Sequence, residues 1–99
     1  MNKTLARLID SDATLTDFQK AVYHAVAHIP RGTTWTYRQV AQAIGRPSAV
    51  RAVGNALNKN PFAPQVPCHR VVKSDGSLGG FAHGPRAKQA LLKKEGVVY

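Results

Sequence analysis

Cys68 and His69 stand side by side in "VPCHRVV", residues 66–72, and the chain contains no other cysteine. A cysteine thiol has a pKa of about 8.5, so little of it is thiolate at neutral pH unless something draws the proton away. The usual device is a histidine base that is itself oriented by a carboxylate. Of the four histidines His69 alone adjoins Cys68, and Glu95 is the only glutamate, so the residue types allow a Cys68–His69–Glu95 relay. Neighbouring side chains on a strand point to opposite faces, however, so the pair would need a bridging water or a tight backbone bend. The competing reading is a structural cysteine, because free cysteine is usually buried as a small apolar residue.

Other constellations carry less. His24 and His28 have the i, i+4 spacing that can hold zinc, but no glutamate follows His24 and no third ligand is near, so a solvated helix face is the better reading. The glycines of "GSLGGFAHG" do not open a helix after a strand, and no phosphate-binding lysine follows them. Trp35 and Tyr37 could stack on bases, although Trp35 precedes a helix and fits equally well as a core or staple residue.

The elements that must position these residues are mostly helical. Residues 1–15 lack clear periodicity and read as a lead-in with at most a short helix. In "TDFQKAVYHAVAHI", Thr16 and Gln19 form a capping box, and Phe18, Val22, Ala25, Val26 and Ile29 make one apolar stripe that Pro30 and Gly32 end. A second capping box, Thr36 with Gln39, opens "TYRQVAQAI", whose Val40, Ala43 and Ile44 should face inward. Gly45 suits a left-handed cap, Pro47 blocks continuation, and Ser48 is the expected N-cap of "AVRAVGNALNK". Two short helices joined by "GRPS" make a helix-turn-helix signature. On the second helix Val50, Val53 and Leu57 share the inner face, while Arg51, Asn55 and Lys59, with small Ala52 beside them, lie outside. That slim, basic face suits a nucleic-acid groove and is equally compatible with plain solvation. Beyond Asn60, "FAPQVP" is too rich in proline for a helix, "HRVV" reads as a short strand, "KSDGS" as a turn and "LGGFAHG" as a glycine-rich loop. Pro85 starts a last helix that Gly96 closes. The predicted class is α+β, mostly helical, winged-helix-like, with a helix-turn-helix and a small hairpin beside the Cys68 loop.

At 99 residues the chain has room for one modest core. Its hydrophobic share of 43% and charged share of 19% are those of a globular protein. A single cysteine offers no internal disulfide, and the N-terminal stretch has no long apolar region, so neither a secreted scaffold nor a membrane span is expected. Fourteen Lys and Arg against five Asp and Glu give a net charge of +9, which points to a polyanionic partner, most often nucleic acid.

"VPCHRVV", preceded by "NALNKNP" and followed by "GGFAHG" and "LLKKEG", resembles the O6-alkylguanine-DNA alkyltransferases, the methylated-DNA–protein-cysteine methyltransferase family. The resemblance covers residues 16–97 and corresponds to the family's C-terminal domain. It implies that Cys68 is the alkyl acceptor, that His69 activates it through a water, and that Glu95 orients His69. Asn60 matches the asparagine tying the recognition helix to the active-site loop. Tyr37 matches the tyrosine at the base pocket, which helps rotate the nucleotide and can donate to the guanine ring. Arg51 matches the arginine that fills the stack when the base leaves. The recognition helix would lie in the minor groove, with small Ala52 and Ala56 on its outer side and Asn55 on its polar face. The carbonyls of Cys68 and Val71 match those accepting the guanine amino group. Phe81 and Ala82 stand where many members carry Tyr-Ser or another polar pair, so a substrate hydrogen bond is missing there, and His83 occupies a position that influences access by bulky groups.

The resemblance therefore implies a single-turnover DNA repair enzyme, a methylated-DNA–[protein]-cysteine S-methyltransferase. It would act as a monomer on double-stranded DNA containing O6-alkylguanine, with neither metal nor organic cofactor and no membrane. Other repair proteins are further candidate partners. The expected location is the cytoplasm at the nucleoid, or the nucleus in a eukaryote, with residues 1–15 as lead-in and 16–99 as the DNA-binding and active-site domain. Two alternatives stay open. One is an alkyltransferase-like protein that binds alkylated DNA and recruits other repair factors, although that group carries tryptophan at the position of Cys68. The other is a winged-helix transcription regulator with a structural cysteine.

Overall fold

Two threonines set the frame. Thr16 Oγ1 accepts from the Gln19 amide at 3.1 Å while Gln19 Oε1 accepts from the Thr16 amide at 2.9 Å. Thr36 and Gln39 repeat the exchange at 3.0 and 2.8 Å. Both capping boxes fall where the sequence predicts them, each satisfying two backbone donors that a helix start otherwise leaves open.

The computed structural model describes residues 3–62, 65–75, 77–79 and 84–97. Its elements in chain order are α1 (Lys3–Ser11), α2 (Asp17–Ala27), β1 (Trp35–Thr36), α3 (Tyr37–Ala43), α4 (Val50–Asn58), a 3₁₀ turn (Cys68–Arg70), β2 (Val71–Val72) and α5 (Pro85–Lys94). The class is the expected mostly helical α+β. No helix among the described residues is long and apolar enough to cross a membrane.

The core is built from Val22, Tyr23, Val26 and Ile29 of α2 and its end, Val40 and Ala41 of α3, Val53, Ala56 and Leu57 of α4, and Val66 and Val71 near the 3₁₀ turn. Trp35 packs against this core from β1. The lead-in is more ordered than its sequence suggests: α1 has nine residues, and Leu5 and Ile9 are buried in the same core. Leu5, Leu8 and Ile9 do stand at the helical spacing i, i+3, i+4, a single turn's worth of period, with Leu8 left 51% exposed.

The helix-turn-helix is α3–α4. Gly45 adopts the left-handed φ of 75° that ends α3, and the Arg46 amide returns to the Ala41 carbonyl at 2.9 Å. Three local expectations are corrected here. Ser48 does not cap α4; the N-cap is Ala49, without a side-chain bond. The Ala49 amide closes a turn onto the Arg46 carbonyl at 3.0 Å, which leaves Ser48 inside that turn ahead of the helix. Ala43 is exposed and Ala41 buried, because the inner face of α3 runs through Val40, Ala41 and Ile44. Ala56, expected on the outside, is 4% exposed. The Tyr23 hydroxyl reaches from α2 to donate to the Ala56 carbonyl at 2.7 Å, covering that side of α4.

The strand expectations also change. Of "HRVV" just Val71 and Val72 are extended, since Pro67 leads the preceding residues into a 3₁₀ turn. The described strands pair in parallel, Trp35 with Val71 and Thr36 with Val72. The predicted turn after β2 is present: Asp75 Oδ1 accepts from the Ser77 amide at 2.9 Å, and the Lys73 amide bonds the Ser77 carbonyl at 3.0 Å. The returning segment does not pair as a strand among the described residues. The parallel pair brings Tyr37, the residue after β1, beside the chain that leaves the 3₁₀ turn. The glycine-rich loop at 80–83, with Phe81, Ala82 and His83, lies outside the described residues. α5 starts at Pro85 and closes at Gly96 as expected, with the Val97 amide returning to the Leu92 carbonyl at 2.9 Å.

Candidate active site and nucleic-acid interface

The tight bend that a Cys68–His69 pair requires is the 3₁₀ turn. The Cys68 amide bonds the Val66 carbonyl at 2.8 Å, the Arg70 amide bonds the Pro67 carbonyl at 2.9 Å, and the Val71 amide bonds the Cys68 carbonyl. Residues in such a turn project about 120° apart, where a strand would send them to alternate faces. Cys68 is 6% exposed and His69 3%.

His69 Nε2 lies 3.1 Å from Glu95 Oε2 at the end of α5. Arg70 engages the same carboxylate through Nε to Oε1 at 2.8 Å and Nη2 to Oε2 at 2.6 Å, and its Nη1 donates to the Ile29 carbonyl at 2.8 Å. The Arg70 hydrogen bonds outweigh burial and, with His69, hold the Glu95 carboxyl down at about 2. Glu95 is therefore an acceptor at neutral pH, which places the imidazole hydrogen on Nε2 and leaves Nδ1 of neutral His69 as an acceptor.

Asn60, just beyond α4, joins this turn to the helix. Its Nδ2 donates to the Val66 carbonyl at 2.9 Å, and its Oδ1 accepts from the Phe62 amide at 2.9 Å. Burial pushes the Cys68 thiol up, opposed by a hydrogen bond with Asn60, by the positive charge of Lys88 and by nearby backbone amides. At neutral pH the sulfur keeps its proton, so its nucleophilicity depends on a base.

Two residues that sequence reasoning passed over complete the cluster. Arg70 is one. Lys88 of α5 is the other, a fully buried lysine whose Nζ donates to the Val71 carbonyl and, at 3.4 Å, to the Tyr37 hydroxyl. Burial lowers its pKa to about 8, with Cys68 acting in the opposite direction. The available signal was positional: Lys88 stands four residues before Leu92, on the stripe of α5 that faces inward. The Val71 carbonyl thus already accepts one hydrogen bond.

Tyr37 links this cluster to an open pocket of about 320 Å³. Val50, Arg51, Gly54, Asn55 and Asn58 of α4 form one wall, with Tyr37, Lys73 and Ser74 opposite. The Tyr37 ring passes so close to Gly79 that a Cβ there would lie 2.9 Å from it. Cys68 does not line this pocket in the described residues. A second depression of about 200 Å³ borders the other side of α4, lined by Thr16, Phe18, Gln19, Ala52, Asn55, Ala56 and Lys59. Between the two, α4 stands up as a ridge carrying exposed Arg51, Ala52 and Asn55. The structure thus gathers Cys68, His69, Glu95 and Asn60 in one place, sets Tyr37 between them and the pocket, and puts Arg51, Ala52 and Asn55 on the ridge; Phe81 and Ala82 are not described. His24, in contrast, pairs with Asp10 of α1 at 2.7 Å, and no group of three candidate metal ligands occurs among the described residues.

The fold thus sets an exposed helix-turn-helix ridge near a buried cysteine and a histidine–carboxylate pair. Residues 17–97 match the family model for the 6-O-methylguanine DNA methyltransferase, DNA binding domain, and the chain belongs to that family. The methylated-DNA–protein-cysteine methyltransferase of Methanosarcina barkeri is 55% identical over 80 residues, which are 81% of this chain and 51% of the relative. The Mycobacterium tuberculosis OGT in complex with DNA superposes with a TM-score of 0.80 at 48% identity, over 82% of this chain and 50% of that one. Schizosaccharomyces pombe Atl1, in complex with damaged DNA containing O6-carboxymethylguanine, gives 0.77 at 35% identity, over 85% of this chain and 80% of that one. The chain spans about half the length of the curated methyltransferase relatives it matches.

Proposed function

We propose that this protein repairs O6-alkylguanine in double-stranded DNA by moving the alkyl group to Cys68 Sγ, once per molecule. The observation that carries the reading is the buried Cys68 turn, with His69 on ionised Glu95 and Asn60 joining the turn to the exposed helix. The target atom is inside a duplex, so the nucleotide must leave the stack, at a cost of a few kcal/mol. The α4 ridge enters the minor groove, with Ala52 allowing close approach and Asn55 contacting DNA. Arg51 fills the space the base vacates. Tyr37 donates to the ring of the flipped guanine beside the Cys68 turn, held in place by Lys88.

Neutral His69 takes the Cys68 proton through a water, and Glu95 stabilises the imidazolium. The thiolate attacks the alkyl carbon as its bond to guanine O6 breaks. The electron pair leaves with guanine, which recovers a proton from the site. The products are S-alkylcysteine and guanine. A thioether resists hydrolysis, so each molecule reacts once. The carbonyls of Cys68 and Val71 receive the guanine amino group, with Val71 sharing its oxygen with Lys88. The protein works where the DNA is, in the cytoplasm at the nucleoid or, in a eukaryote, in the nucleus.

The test compares wild type with Cys68→Ala on a duplex holding one O6-methylguanine. Wild type should clear one lesion per protein molecule, and Cys68→Ala should bind the duplex without clearing any. Repair by the variant would remove Cys68 from the acceptor role. Lesion-selective binding by a wild type that transfers nothing would place the protein with the alkyltransferase-like lesion binders.

A further inference from the structure

We propose that Arg70 is a positioning residue for alkyl transfer, clamping Glu95 so that its Oε2 stays on the His69 ring. The inference rests on the reading of Cys68 as the acceptor. A carboxylate held by one imidazole N–H could still turn about its own bond and present either oxygen or neither. Arg70 removes that freedom. Its Nε meets Oε1 at 2.8 Å and its Nη2 meets Oε2 at 2.6 Å, a two-point fork that sets the plane of the carboxylate. The fork is itself anchored, because Nη1 is held by the Ile29 carbonyl at 2.8 Å at the end of α2. Oε2 is left facing His69 Nε2 at 3.1 Å.

The surroundings make this clamp matter. The side chains of Arg70 and Glu95 are 16% and 10% exposed, so little water is present to replace a lost partner. One 3₁₀ turn then carries the nucleophile at 68, the base at 69 and, at 70, the hold on the group that orients the base. A lysine supplies the charge without the planar fork and should do the work in part. Among the described residues the Arg70 side chain bonds Glu95 and the Ile29 carbonyl, so its effect on the chemistry should pass through Glu95.

That dependence separates positioning from simple stability. Single-turnover methyl transfer from a duplex with one O6-methylguanine would be measured for wild type, Arg70→Gln, Arg70→Lys, Glu95→Gln and the Arg70→Gln/Glu95→Gln pair. Melting temperature and duplex binding would be followed in each. Partners that orient a metal-bound histidine are worth about 10–100-fold, and Arg70→Gln should slow transfer by the lower end of that range. Arg70→Lys should recover part of the rate. In the Glu95→Gln background the same Arg70→Gln change should alter the rate by less than about twofold. Equal slowing in both backgrounds, or an unchanged rate in a folded Arg70→Gln protein, overturns the assignment. If Arg70→Gln does not fold, Arg70→Lys decides by the same comparison. Alkylation of Cys68 by iodoacetamide reads thiolate formation without DNA and should follow the same pattern. A wild type that reacts with iodoacetamide in this Arg70-dependent way yet takes no methyl from DNA would refute the acceptor reading and leave the clamp standing.

Discussion

The Lys88 ammonium lies 3.4 Å from the Tyr37 hydroxyl and 5.5 Å from the centre of its ring, inside a protein where Lys88 is fully buried. A buried cation is held by its partners: here the Val71 carbonyl, the phenol and its π face. Since Tyr37 also forms a wall of the open pocket, Lys88 ties the pocket to the Cys68 turn.

That burial has a signature in alkali. With a folded pKa of about 8 against an ordinary 10.5, the unfolded chain holds the Lys88 proton between those values and the folded chain does not. Unfolding free energy therefore rises with pH across that window. Relative to Lys88→Met, wild type should gain at most about 3 kcal/mol between pH 8 and 10.5, read by urea unfolding at each pH. Parallel curves for the two proteins would contradict the burial of a charged Lys88. Transfer from duplex DNA should also slow in Lys88→Met as Tyr37 loses its anchor.

Glu95 gives the opposite limb. Its carboxyl is held at about 2 against an ordinary 4.5, and its side chain is 10% exposed. The stabilisation is fully present above pH 4.5 and disappears as pH falls through 2. Wild type should lose about 3 kcal/mol more than Glu95→Gln between pH 5 and 2. Acid unfolding followed by circular dichroism measures this, and identical acid limbs would show that the Arg70–Glu95–His69 contacts do not hold in solution.

Asn60→Ala should destabilise the protein by about 2–4 kcal/mol, since it orphans the Val66 carbonyl and the Phe62 amide in a partly buried loop. Urea denaturation would show the loss. A cost below about 1 kcal/mol would mean that water replaces the amide and that the link between α4 and the Cys68 turn is loose.

What could be read in advance was local. The capping boxes of Thr16 and Thr36 depend on residues three apart, and both appear. The Cys68, His69 and Glu95 set is legible by residue type, but its geometry is not: Pro67 begins a 3₁₀ turn where "HRVV" reads as a short strand. Arg70 escaped notice because its partners, Glu95 and the Ile29 carbonyl, are 25 and 41 residues away in the chain. Lys88 likewise bonds a backbone oxygen, and carbonyls leave no mark in a sequence. The parallel β1–β2 pairing is of the same kind, a long-range register between two-residue strands. Ala56 was misplaced because Tyr23 of a different helix covers it.

The most direct measurement is the intact mass of the protein after incubation with a duplex containing one O6-methylguanine, followed by peptide mapping. A gain of one methyl group per molecule is expected, located on Cys68 within "VPCHR". An unchanged mass, or a methyl group on any other residue, would contradict it.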